Sequence, residues 1–368
     1  MHKEDKYTSI HYTSYLQLDK ILNAQDPRSA KFGKEAHEET LFIVIHQVYE
    51  LWFKQVIHEL TSIQEMFHQD NVDERNVNIA VERLERVSEI FKVLIEQIRI
   101  LETMTPLDFL DFRNYLFPAS GFQSVQFRVF ENVLGLKRKD RVAFNDKQYD
   151  YVFNEDTKAW LKEVEEKPSL LELVEAWLER IPFLKMEGFD FIKGYRIAVN
   201  KMLEKEKEAI MATEFLSEKY KNMRLEMLGN TNTYFAAILD PEKYQKRLDE
   251  GEVKISYRAS LAALLISLYR EHPILHVPFR LIQSLTELDD LVTTWRYRHS
   301  QMVLGMLGRK IGTGGSSGHE YLLKTALSHH IFKDFHNIST LLIPRSELPK
   351  LPDHVERQLG FHFSAQKS

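Results

Sequence analysis

Cysteine is absent from all 368 residues. That gap excludes disulfides, thiolate nucleophiles, iron–sulfur clusters, thiolate-ligated prosthetic groups and cysteine-based zinc sites. Long apolar runs are also missing. The longest spans about six residues, Leu261 to Ile266, against the ~18 needed to cross a bilayer. There is no dense Lys/Arg tract, and the net charge is −5, so neither nucleic acid nor a membrane is expected as a partner. The first twenty residues mix acids, bases and tyrosines and lack the apolar stretch of a secretory signal. A cytoplasmic location is the resulting expectation. Fifteen histidines then remain as the main candidates for binding a transition metal.

What is present is helical periodicity. One ladder runs Leu281, Leu285, Leu288, Val292, Trp295, His299, Met302, Met306, in steps of four and three that keep every rung on one helix face. A second, Phe42, His46, Tyr49, Phe53, Val56, Leu60, lies in a long helix expected over Glu38 to His68. Asp73 to Met104 follows as another amphipathic helix, and Pro106 opens a short one through Leu116. Ser120 and Gln123 have capping-box spacing and are expected to start a helix through about Leu134. Residues 136 to 155 read as a charged surface connection. Ser169 to Leu228 is helical, punctuated by Pro182 and Gly194, with turns marked at Asn230 to Asn232, Asp240-Pro241 and Gly251. Val253 to Tyr257 alternates like a strand but is too short to assert one. Glu320 to His330 forms a short helix, and Pro344, Pro349 and Pro352 lead into a tail expected to be loosely held. The fold class is all-α: a polar arm over 1–25, one helical core over 26–345, and a tail over 346–368.

Two features of this pattern point to chemistry. In each ladder a histidine takes an apolar rung, His299 one turn from Trp295 and His46 among aromatics. Either could be a hydrogen-bonded core residue, which is the common fate of a lone buried histidine. The second feature is Gly312-Thr313-Gly314-Gly315-Ser316-Ser317-Gly318, which cannot continue a helix and offers backbone N–H groups and hydroxyls. It could equally be a linker, and it lacks the GK[ST] ending of a phosphate loop. Arg113 flanks an aromatic helix but could pair at the surface with Asp108 or Asp111. Spacing gives no HExxH motif and no pair of Glu-x-x-His motifs. Haem remains compatible, since one buried neutral imidazole suffices as an axial ligand and apolar helices supply walls.

Three strings carry a resemblance: FIVIHQVYELWFKQ (Phe42–Gln55), LDFLDFRNYLFPASGFQSVQFR (Leu107–Arg128) and WRYRHSQMVLGMLGRKIGTGGSSG (Trp295–Gly318). With YTSYLQLDKILNAQ (Tyr12–Gln25) and LLIPR (Leu341–Arg345), they resemble the tryptophan 2,3-dioxygenase family over nearly the whole chain, least between 136 and 290. The resemblance implies a haem b enzyme that acts on L-tryptophan and O2. It implies that His299 is the axial ligand of the iron, with Trp295 and Ser120 near the haem, and that His46 meets the indole N–H. Arg113 would clamp the substrate carboxylate, while Gly312 and Thr313 would hold its ammonium and carboxylate. Phe42, Phe109 and Leu116 would wall the indole pocket. A homotetramer is also implied, in which Tyr12 and Tyr15 complete a neighbour's pocket. A haem monooxygenase of an aromatic amino acid and a non-catalytic haem protein are the alternatives. One departure from the family pattern is His319-Glu320, where an aromatic often stands.

Overall fold

The computed structural model describes residues 9–143, 148–308, 310 and 318–361. Its regular structure is almost wholly helical, as the periodicity requires. The arm carries two single-turn helices, α1 (Tyr12–Leu16) and α2 (Leu18–Leu22). They are separated by Gln17, whose φ of 52° cannot continue either one. Then come the long pair α3 (His37–Phe67) and α4 (Glu74–Leu101), the latter capped by Asp73 accepting the Arg75 N–H. Helix α5 (Pro106–Leu116) starts at a Thr105/Asp108 capping box. The Ser120/Gln123 box is real but caps only a 3₁₀ turn, Gly121–Gln123. Ser124 then caps α6 (Val125–Leu134).

Helices α7 (Glu155–Glu166) and α8 (Leu170–Glu179) precede a two-residue antiparallel pair, β1 (Lys185–Met186) and β2 (Phe189–Asp190). The chain continues through α9 (Phe191–Ala212), α10 (Glu218–Leu239), α11 (Pro241–Asp249) and α12 (Tyr257–Leu268). It ends with α13 (Pro273–Leu307), α14 (Gly318–Ser328), α15 (Lys333–Asn337) and α16 (Asp353–Gln358). Helix α13 lies along α4 and against α14, and α3 packs on α4, α6 and α8. One continuous apolar core joins Phe53 of α3 to Leu359 beyond α16. No described helix is long and apolar enough to cross a membrane.

Four local expectations are corrected. The 136–155 connection is not simply a surface strap: Leu136 and Tyr149 are buried, and the Arg141 side chain is 4% exposed. Asn230 to Asn232 lies inside α10, where the Thr231 and Thr233 hydroxyls bond back to the Met227 and Gly229 carbonyls. Gly194 lies within α9 rather than breaking it; its missing Cβ admits Pro349, whose side chain would come to 3.2 Å. As far as residue 361 the tail is held, with Val355 and Leu359 buried and the Ile274 N–H donating to the Leu359 carbonyl. Val253 to Ser256 forms no strand. Carboxylates take the place of a partner strand: Asp334 accepts the N–H groups of Lys254 and Ile255, and Glu175 that of Ser256.

Leu288 is fully buried on the face of α13 that packs into the core. Leu288→Ala is expected to cost about 2–5 kcal/mol through lost transfer energy and a cavity. Urea denaturation reads this directly, and an unchanged midpoint would mean that this face is not sealed.

Candidate active site

Helices α3 and α13 bring their histidines to one place. The His46 ring lies 4.1 Å from that of Phe42, centroid to centroid, and its Nδ1–H donates to the Phe42 carbonyl at 2.7 Å. A carbonyl only accepts, so Nδ1 carries the proton and Nε2 of the neutral ring keeps its lone pair. Part of the ring surface is open, but it opens into a cavity. Desolvation by the surrounding protein lowers the His46 pKa, against opposing pulls from the Phe42 carbonyl and Glu50. Burial likewise pushes His299 down to about 4, with His46 adding to the effect. Both rings are therefore neutral near pH 7. The Nδ1 of His299 is buried and finds no hydrogen-bond partner among the described residues. Its capacity is not spent inside the protein, unlike that of an ordinary core histidine.

The two rings line a cavity of about 270 Å³. Aromatic side chains form much of its wall: Tyr49, Phe53, Phe127 and Trp295. Trp295 meets Phe53 edge-on, with centroids 6.0 Å apart, and lies 5.4 Å from the His299 ring. Ser120 lines the same space. A second cavity of about 140 Å³ shares His46 and His299 and adds Phe42, Phe109, Met104 and Met306. The structure thus brings together His46, His299, Trp295, Ser120, Phe42 and Phe109. Arg113 and Leu116 lie one and two turns beyond Phe109 on α5 and line neither cavity; Leu116 packs on the small cluster of Leu101, Met104 and Phe112. Tyr12 and Tyr15 stand exposed on α1. Gly312 and Thr313 lie outside the described residues. His319, at the start of α14, donates from Nδ1 to the Ser300 carbonyl at 3.0 Å, next to His299.

Several lining residues were not among the site residues expected from the sequence. Tyr49 and Phe53 belong to the same ladder as His46, so their period could have marked them. Arg128, Glu131 and Arg296 also line the larger cavity, and in sequence they look like ordinary helix-surface charges. The Asp108 carboxylate, one of two surface partners considered for Arg113, accepts the Thr105 N–H at 3.0 Å and its hydroxyl at 2.6 Å.

Fold and cavity together define an all-α protein with a largely aromatic pocket walled by two neutral imidazoles. Comparison with known proteins is more specific. The model of a family described as tryptophan 2,3-dioxygenase matches residues 1–342, and the chain belongs to that family. A tryptophan 2,3-dioxygenase of Alteromonas mediterranea is 49% identical over 96% of this chain and 97% of its own. One from Bdellovibrio bacteriovorus is 47% identical, covering 97% of this chain and all of its own. The mouse enzyme is 46% identical over 95% of this chain and 86% of its own.

The depressed His299 pKa has a thermodynamic consequence. The unfolded ring titrates near 6.5 and the folded one near 4, so the unfolded chain takes up the proton first. Stability that is present above pH 6.5 is lost as the pH falls toward 4. Denaturation of the protein at pH 7 and pH 5 is expected to show this loss, and His299→Phe to reduce it. An equal loss in the variant would remove His299 as its source.

Proposed function

We propose that this enzyme inserts both atoms of O2 across the indole C2–C3 bond of L-tryptophan, giving N-formyl-L-kynurenine, the first step of tryptophan breakdown by the kynurenine route. The observation that carries the reading is a near full-length match to tryptophan 2,3-dioxygenases coupled to a cavity walled by His46 and His299. The cofactor in this reading is haem b, one per subunit. Its fit rests on the neutral His299 ring with an unspent buried nitrogen, on the aromatic walls, and on the guanidiniums of Arg128 and Arg296 at the cavity edge. His299 would hold the haem iron, with Trp295 and Ser120 beside the group. Haem, when bound, supplies the redox-active iron at which dioxygen is activated.

The chain's own residues do the rest by placement. His46 carries its proton on Nδ1, so Nε2 is free to accept the indole N–H. Its lowered pKa keeps it an acceptor, and its role is positional. Phe42, Phe109 and Leu116 flank the indole, and the apolar lining excludes water. Arg113 offers the planar two-pronged donor that a carboxylate needs and lysine reproduces poorly. Gly312 and Thr313 receive the ammonium and carboxylate. Holding the ring and both ends of the amino acid turns the oxygen transfer into a proximity problem already solved by binding.

The same reading places the enzyme in the cytoplasm as a homotetramer, with Tyr12 and Tyr15 completing a neighbour's pocket. Supporting this, the arm exposes Ile10 at 64%, Tyr12 and Tyr15 at 70% each and Leu22 at 69%. So much apolar surface on one short segment is unusual unless another surface covers it.

Turnover under isotopically labelled dioxygen is expected to give product carrying two labelled atoms; one labelled atom would indicate a monooxygenase instead. Arg113→Leu is expected to weaken tryptophan use by about tenfold to a hundredfold, the equivalent of about 1.5–3 kcal/mol for charge-assisted bonds. Unchanged steady-state constants would take Arg113 out of the site. His299→Ala is expected to purify without haem, and a wild-type absorption spectrum in that variant would refute the axial assignment.

A further inference from the structure

In the wall of the larger cavity, one carboxylate gathers three guanidiniums. Glu131, in the middle of α6 and 1% exposed, accepts from Arg296 of α13 at 2.7 Å and from Arg128 of its own helix at 3.0 Å. It also pairs closely with Arg141, from the segment after α6. The arginine side chains are only 3%, 6% and 4% exposed, so water screens none of these charges. Arg141 lies over the Tyr149 ring at 4.0 Å, and Arg296 also donates to the His329 carbonyl at 3.1 Å. His329 accepts the Val142 N–H on Nε2 at 2.9 Å and turns Nδ1 toward Glu131, 3.8 Å away. Burial by itself would raise the Glu131 carboxyl, but the arginines and His329 hold it well below the usual range. Asp289 is the next carboxylate acting on Arg296, and its oxygens are taken by the N–H groups of Ile331 and Phe332. The cluster therefore keeps an excess of positive charge. Arg128, Glu131 and Arg296 all line the cavity, and Arg296 precedes His299 by one turn of α13.

We infer that Glu131 is a positioning residue for the reaction. Through Arg296 it fixes the turn of α13 that carries His299, and by offsetting one guanidinium of three it sets the charge the cavity wall presents to haem. This rests on the haem reading above. Placing an electron on the iron lowers the charge of the site by one, so a more positive wall favours the reduced form, and low local dielectric magnifies the effect.

The test is charge-signed. In the haem-loaded full-length enzyme, Glu131→Gln removes a negative charge and is expected to raise the ferric/ferrous midpoint potential. Arg141→Gln removes a positive charge from a residue outside the cavity lining and is expected to lower it. The double variant restores the original charge and is expected to return close to the wild-type potential. Loosened packing has no such sign, so shifts in one direction for both single variants, or no shift, would overturn the inference. Should Glu131→Gln fail to fold, the double variant must lie above Arg141→Gln, and the reverse order overturns the inference. Wild-type protein that takes up no haem would overturn the cofactor reading and this inference together. Normal uptake with wrongly signed shifts overturns this inference alone.

Discussion

The seal between α13 and the helices around it is the constraint on which the rest of the molecule depends. Leu281, Leu285, Leu288 and Val292 are buried almost completely, and helix rise and period then leave His299 little freedom in height or direction. The same logic applies to α3, where Phe53, Val56 and Leu60 are buried beyond His46. Apolar burial is non-directional, but a repeated stripe on a rigid helix makes it directional. Two polar rings that would be unfavourable in a closed core are instead delivered to a shared cavity.

Around that cavity the protein accepts a large electrostatic cost. Four buried charges in one cluster each lose most of their hydration, and their mutual attraction offsets this only with close geometry. The hydrogen bonds to Glu131 supply that geometry from α6, from α13 and from the segment after α6. A core of apolar residues could hold these helices together as firmly. It could not give a cavity wall a defined charge, and this is where stability and chemistry meet in the fold.

Much of this was legible in the residue pattern. The ladders of α3, α4 and α13 stand out because a period of 3.6 survives over many turns, and the Ser120 box forms, though it caps only a 3₁₀ turn. His46 and His299 were visible as polar rungs. Failures fall where local signals compete with tertiary packing. Asn230 to Asn232 looks like a turn, yet α10 runs through it. The alternation of Val253 to Tyr257 was too short to assert a strand, and the N–H groups of Lys254, Ile255 and Ser256 are satisfied by Asp334 and Glu175, distant in sequence. Three prolines suggested a loose tail, yet Tyr269 donates to the Pro349 carbonyl at 2.7 Å and the segment is docked.

The sequence by itself settled that the chain is helical, which faces of the long helices are apolar, and that two histidines and an arginine occupy places where such residues need a reason. Those are properties of spacing along a single segment, readable without knowing what any helix touches. Only the tertiary structure decided that the two imidazoles share one cavity, that His46 keeps its proton on Nδ1, and that Glu131 binds arginines 3, 10 and 165 positions away. Desolvation and Coulomb attraction depend on distance in space, and distance in space is what a linear pattern leaves unstated.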